Sequence, residues 1–362
     1  MKKKWAIGLL AVVMLIGIAA GAFIFMSPGM TSEPKQDASA GADGAALTTD
    51  LPDEAVPAAG KPQGGAAAAP TQKPSNGTTS STGQQTAQAA TTTAAPYPTA
   101  SGTAVAKNAS VIIDYSNAKD GYVMIKWTGE KVKVAVQVTC PKNAEKYTYY
   151  LRNDGNYDVL PLSDGDGTYQ IVVCRNVSGT KYTQVLTASI NARLSDSLAP
   201  FLRPNQYVNY SDSSEAVKKA RELTAGATDN LDKVRAVYHW VVTNLTYDHD
   251  KAKTVQSGYL PDVDKVLQEK KGICFDYASL MSAMLRSQGV PVKLVIGYTS
   301  TGEYHAWINV WSEESGWIDS VIYFDGKVWK LMDPTFASSG NQSESIMEFI
   351  GNTGNYKERF AY

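Results

Sequence analysis

The chain has 362 residues, a formal net charge of −1, three cysteines and three histidines. That length leaves room for about two ordinary domains beside non-globular segments. Near-neutral charge, with no basic stripe after Lys2-Lys3-Lys4, excludes sequence-independent nucleic-acid binding, which needs clustered phosphate-neutralising cations.

Residues 5–26 form an uncharged apolar run behind those lysines. A helix of that length rises about 33 Å, enough for a bilayer core, and the lysines favour a cytoplasmic N-terminus with the rest outside. Ala20-Gly21-Ala22 offers a signal-peptide cleavage site, yet the run continues apolar through Phe23-Ile24-Phe25. Residues 1–30 are therefore read as a retained single-pass signal anchor, with cleavage and secretion as the alternative. Either way the remainder is exported.

Residues 31–103 are rich in Ala, Thr, Gly, Pro, Gln and Ser, with no aromatic between Phe25 and Tyr97. So little apolar surface does not offset the ordering entropy, and the stretch reads as a disordered linker spanning about 45–50 Å r.m.s..

Residues 104–195 read as all-β. Strand candidates include 111–115, 122–127, 132–139, 147–151, 168–174 and 182–190, and Val132, Val134, Val136 and Val138 alternate with other residues at the period of a half-buried strand. Asp120-Gly121, Asp154-Gly155, Asp166-Gly167 and Ser178-Gly179 punctuate them as turns. The pattern predicts an immunoglobulin-like β-sandwich, an architecture that carries no function by itself. In an exported chain, Cys140 and Cys174 suggest a disulfide closing a loop of about 35 residues, worth about 3–4 kcal/mol, with buried free thiols as the alternative.

Residues 200–362 change to helices followed by strands, the order of an α+β domain. Asp212 with Glu215 suggests a capping box before Ala216 to Leu223. Leu231, Val234, Val237, Tyr238, Val241, Val242 and Leu245 recur at helical spacing, Pro261 suits the start of a short helix carrying Val263, Val266 and Leu267, and a third apolar stripe follows Cys274 and stops at Gly289 and Pro291. Segments 293–298, 304–311, 317–323 and 328–333 then predict an antiparallel meander, with Asp325-Gly326 as a hairpin signal. Tyr356 to Tyr362 reads either as a docked tail or as a frayed end.

Three positions carry the chemistry. Cys274 opens a predicted helix, His305 lies within a predicted strand beside Trp307, Asn309 and Trp311 on one face, and Asp333 ends the last strand before Pro334. A thiol nucleophile needs a base to take its proton and an acid to orient that base. A helix N-terminus together with a nearby imidazolium lowers a cysteine pKa to about 3.5–7.5. The Cys274 N–H offers half of an oxyanion hole, and Gln268, Tyr238, Trp240 and Tyr247 are open candidates for the other half. Zinc sites favour closely paired ligands, and no such pair occurs, so neither a metal nor a cofactor is expected. His239 and His249, ten residues apart, read as structural or surface residues.

The segments Gly272-Ile273-Cys274-Phe275-Asp276-Tyr277-Ala278, His305-Ala306-Trp307-Ile308-Asn309-Val310 and Trp329-Lys330-Leu331-Met332-Asp333-Pro334-Thr335, in this order, resemble the transglutaminase-like domain family, relatives of papain-type thiol proteases. The helix ending in Asn244-Leu245-Thr246-Tyr247-Asp248 resembles the one that precedes the nucleophile in that family. The resemblance spans about residues 200–340. It implies a papain/transglutaminase-like α+β fold with Cys274 as nucleophile, His305 as base and Asp333 as orienting acid. The expectation is a membrane-anchored, exported acyl-transfer enzyme acting on protein or peptide substrates of the cell surface or wall, either by hydrolysis or by cross-linking. The alternative is a non-catalytic surface binding or scaffold protein that keeps the fold.

Overall fold

The computed structural model describes residues 48–51, 57, 94–319, 322–324, 329–331 and 353–362. The apolar run 5–26 lies outside them; among the described residues no helix is long and apolar enough to cross a membrane.

The first half is built from strands. In chain order these are β1 (Thr48–Asp50), β2 (Val105–Lys107), β3 (Val111–Asp114), β4 (Tyr122–Trp127), β5 (Val134–Thr139), β6 (Tyr147–Tyr150), β7 (Asp158–Pro161), β8 (Gly167–Ser178) and β9 (Lys181–Ala192). They form two antiparallel sheets, ordered β1-β9-β8-β5-β6 and β2-β3-β4-β7. Val134, Val136 and Val138 of one sheet and Ile113, Val123 and Ile125 of the other belong to one buried cluster, as the alternation in sequence requires. The segment read as linker is corrected at two places. Thr48–Asp50 pair with Lys181–Thr183 at the edge of the larger sheet, and Tyr97 and Thr99 are tied by hydrogen bonds to Asp212 and Tyr122.

The expected Cys140–Cys174 bridge is absent: all three cysteines are free and buried. Cys174 pairs in register with Ala135, and Cys140 follows the far end of that strand. Five residues of extended chain separate the two positions by about 16 Å, well beyond the ~7 Å that a disulfide tolerates. They also face different cores, Cys140 the main cluster and Cys174 a satellite of Leu51, Ala135, Tyr150 and Tyr182.

The second half contains α1 (Glu215–Thr224), α2 (Asn230–Asn244), β10 (Thr246–Tyr247), α3 (His249–Thr254), α4 (Val263–Glu269), β11 (Lys271–Gly272) and α5 (Cys274–Arg286). Then come β12 (Val292–Thr299), β13 (Tyr304–Ser312), β14 (Gly316–Ile318), β15 (Ile322–Phe324), β16 (Trp329–Leu331) and β17 (Tyr356–Ala361). Helix α5 is buried along its whole length; α1, α2 and α4 pack around it, and β12 and β13 close its remaining side. The predicted Asp212–Glu215 capping box does not form. Ser214 is the cap residue of α1, Asp212 bonds Arg221 and Tyr97, and the carboxylate of Asp264 in α4 accepts the Ala216 N–H instead.

The expected meander is also rearranged. The sheet order is β14-β13-β12-β17, while β15 and β16 pair separately, and Asp325-Gly326 lies outside the described residues. The place beside β12 is taken by the C-terminal strand, which thus docks. Phe360 and Tyr362 supply the reason: both are buried, and their rings pack on Tyr147 of the β-sheet half. At the opposite end of α5, buried Arg286 donates to the carbonyls of Val292, Arg203 and Tyr362, fastening helix, sheet and C-terminal strand together.

Candidate active site

The approach to Cys274 is set by a short parallel pairing. Lys270 adopts a left-handed conformation and stops α4, after which Lys271 and Gly272 lie beside Thr246 and Tyr247. The Thr246 N–H donates to Lys270 O at 3.0 Å and the Asp248 N–H to Gly272 O at 2.8 Å. Ile273 then caps α5, and Cys274 is its first helical residue, in the field of the helix N-terminus.

Asp276 fixes this turn. Its carboxylate folds back to accept the Ile273 N–H at 2.9 Å, passing so close to Gly272 that a Cβ there would lie 2.6 Å from the Asp276 Cβ. The glycine two residues before the cysteine is therefore a steric requirement. Asp276 also accepts Tyr259 Oη at 2.5 Å and Lys251 Nζ at 2.6 Å, and Lys251 bonds Tyr259 at 2.6 Å. Burial and the adjacent Asp276 charge push the Tyr259 phenol well above its ordinary range. Asp276 was missed in the sequence, and an acid at the third position of a helix is the signal that points to it. Lys251 and Tyr259 carried no local signal, because they arrive from a short helix and a loop that the apolar pattern does not mark.

His305 is the second residue of β13 and lies opposite Gly297 of β12. Its ring stands 6.3 Å from that of Trp307, nearly parallel, and 6.5 Å from that of Tyr356. Trp307 and Tyr356 are 5.2 Å apart. Of the face predicted for His305, Trp307, Asn309 and Trp311, His305 and Trp307 pack together and Tyr356 of β17 joins them, while Trp311 packs on Trp317. Asn309 donates to Asp319 at 3.2 Å. Glu303, just before the strand, has its carboxyl raised by burial, an effect opposed by the nearby His305.

Cys274 and His305 are both fully buried, the thiol among the apolar residues of the main cluster. Their elements pack directly on one another. Asp333 lies outside the described residues. Of the four candidate oxyanion donors, Tyr247 stands beside Gly272, Tyr238 is buried in the helical core, Trp240 is half-buried, and Gln268 is exposed on α4. His239 and His249 are exposed.

Comparison with known proteins follows the same segment. The family described as Transglutaminase-like superfamily matches residues 217–320. The uncharacterized protein YebA of Bacillus subtilis is 30% identical over 190 residues, which cover 46% of this chain and 23% of that protein. The kyphoscoliosis peptidase of Mus musculus is 29% identical over 118 residues, covering 32% of this chain and 17% of the peptidase. A protein-glutamine gamma-glutamyltransferase of Pseudomonas aeruginosa is 28% identical over 98 residues, covering 24% of this chain and 13% of the transferase. The chain therefore spans less than a quarter of each of these three relatives.

Proposed function

Because the chain carries a transglutaminase-like superfamily domain over residues 217–320, we propose that it is a cysteine acyl-transfer enzyme acting on peptide or carboxamide substrates. The observation that carries this reading is the setting of Cys274, the first residue of a helix whose N-terminal turn is fixed by Asp276 and which packs on the strand bearing His305. In the proposed reaction His305 takes the thiol proton and Cys274 Sγ attacks the acyl carbonyl. The C–N bond breaks and the amine leaves with that proton, giving a thioester. Asp333 orients the imidazole, the Cys274 N–H and a second donor hold the oxyanion, and water or a primary amine resolves the thioester. Water gives a peptidase or amidase; an amine gives an isopeptide cross-link. The apolar run 5–26 supports a membrane-anchored, exported enzyme with surface or wall peptides as its substrates. An immunoglobulin-like reading of the two-sheet half fits a spacer or recognition role.

A second reading, a binding or scaffold protein without turnover, is favoured by one observation: Cys274 and His305 are both buried, so a substrate reaches them only after the site opens. One experiment separates the two. The protein is incubated with a glutamine-containing peptide and a fluorescent primary amine, and Cys274 is followed by mass spectrometry. An acyl adduct on Cys274 with amine incorporation, ammonia release or peptide cleavage, all lost in Cys274→Ala, supports the enzyme. No adduct and no product with a panel of surface-derived peptides supports the scaffold.

A further inference from the structure

Two pieces of the upstream chain are seated on the folded body. Thr48–Asp50 extend the larger sheet antiparallel to Lys181–Thr183, and the Leu51 N–H bonds Thr180 O at 2.9 Å. Leu51 is buried against Ala135, Tyr150, Cys174 and Tyr182. Six residues on, within the ~20 Å that this length can reach, Pro57 is buried in a cleft walled by Tyr150, Tyr207, Tyr259, Phe275, Tyr304 and Tyr362. Tyr150 serves both contacts, touching the Leu51 cluster and lining the cleft.

This cleft is chemically particular. Besides Pro57, six of its ten lining residues are aromatic, the others being Thr148, Gly258, Leu260 and Ile296, and aromatic faces pack well on a pyrrolidine ring, which loses little entropy when an extended chain docks. It also adjoins the Cys274 end of the candidate site at two points. Phe275 follows Cys274, and Tyr259 holds the carboxylate of Asp276, while Tyr304 lies on the face of β13 opposite to His305. A three-residue edge strand does not persist on its own, so the Leu51 and Pro57 contacts are what hold this segment.

We propose that the tyrosine-walled cleft is a proline-binding subsite for an extended peptide, reached over the β9 edge where Leu51 docks and occupied in this chain by its own Pro57. The peptide class is an apolar residue followed by a proline about six positions later, bound by strand addition at one end and by ring packing at the other. The chain's own segment acts as a competitor in cis, which excludes outside peptide until it is displaced. As a statement about substrate the inference rests on the acyl-transfer reading. As a statement about binding it does not, and the test is therefore made without turnover.

Full-length protein carrying Cys274→Ala is compared with the same protein also carrying Leu51→Asp and Pro57→Ala. The probe is a fluorescently labelled synthetic peptide with the sequence of residues 46–60, beside the same peptide with alanine at the second proline, read by anisotropy. The released variant is expected to bind the proline peptide at least tenfold more tightly than both the alanine peptide and the unreleased protein do. Equal binding by the two proteins, equal binding of the two peptides, or no binding by the released variant up to about 1 mM, the scale of a short tether's effective concentration, overturns the proposal. Hydrogen exchange supplies the second readout on the single variant Pro57→Ala. The Leu51 amide should lose at least tenfold protection while β8 and β9 keep theirs, and unchanged protection at Leu51 overturns the proposal.

Discussion

Lys251 Nζ stands 2.6 Å from Asp276 Oδ2, a carboxylate with no exposed surface, in the first turn of the helix that Cys274 begins. The lysine is itself about three-quarters shielded, with 28% side-chain exposure, so this pair is screened far less than an ion pair on the surface. Replacing Lys251 by methionine leaves a buried carboxylate holding only Tyr259 and the Ile273 N–H. The expected cost is about 2–4 kcal/mol, measured by urea unfolding. In a double-mutant cycle with Asp276→Leu the two substitutions should couple by more than about 1 kcal/mol. A coupling near zero would assign the contact no energetic role.

Gly297 sits opposite His305 and under β17. A Cβ at this position would meet the carbonyl of Lys357 and lie 2.8 Å from the Trp307 ring. Gly297→Ala should therefore loosen the C-terminal strand and cost about 1–3 kcal/mol, the range for overpacking. Hydrogen exchange over Tyr356–Ala361 should rise in the variant before exchange in α5 does. An unchanged profile would contradict the register described.

Glu303 gives a pH dependence with a definite sign. Burial raises its folded-state pKa above the unfolded value, so the folded protein binds the proton more tightly. No penalty exists below the ordinary glutamate range, where both states are protonated. The penalty develops as pH rises from the unfolded pKa through the folded one and is complete above it. Glu303→Gln should accordingly stabilise the protein at neutral pH and leave it unchanged near about pH 3, by thermal unfolding at both pH values. Destabilisation at neutral pH would contradict this.

The free state of Cys140 and Cys174 predicts three alkylated thiols when the protein is unfolded in iodoacetamide without reductant. Intact mass showing a single alkylation would restore the disulfide.

Much of the fold was legible because burial imposes a period. The α2 stripe from Leu231 to Leu245 and the valine alternation in β5 each dictate a face, and the structure buries those faces. The start of α5 at Cys274 and the placement of His305 in β13 were readable for the same reason. What escaped was tertiary. Ala216 is capped by Asp264, forty-eight positions away, and Asp276 takes Lys251 and Tyr259, distant residues that no window on the sequence joins. The strand Thr48–Asp50 is stabilised by a sheet edge elsewhere in the chain, so its polar composition suggested linker. The cysteine pairing failed because strand register, which composition does not reveal, places Cys174 opposite Ala135.

The central claim is that Cys274 is an activated nucleophile, and the chain carries its own controls. Cys140, Cys174 and Cys274 are equally buried, at 0–1% exposure, so access alone predicts similar reactivity for all three. The decisive measurement is the site-resolved rate of iodoacetamide alkylation of the folded protein at neutral pH, in wild type and in His305→Ala. Alkylation of Cys274 at least tenfold faster than at the other two thiols, and lost in His305→Ala, is the predicted result. Equal rates at the three cysteines, or a Cys274 rate indifferent to His305, would contradict it.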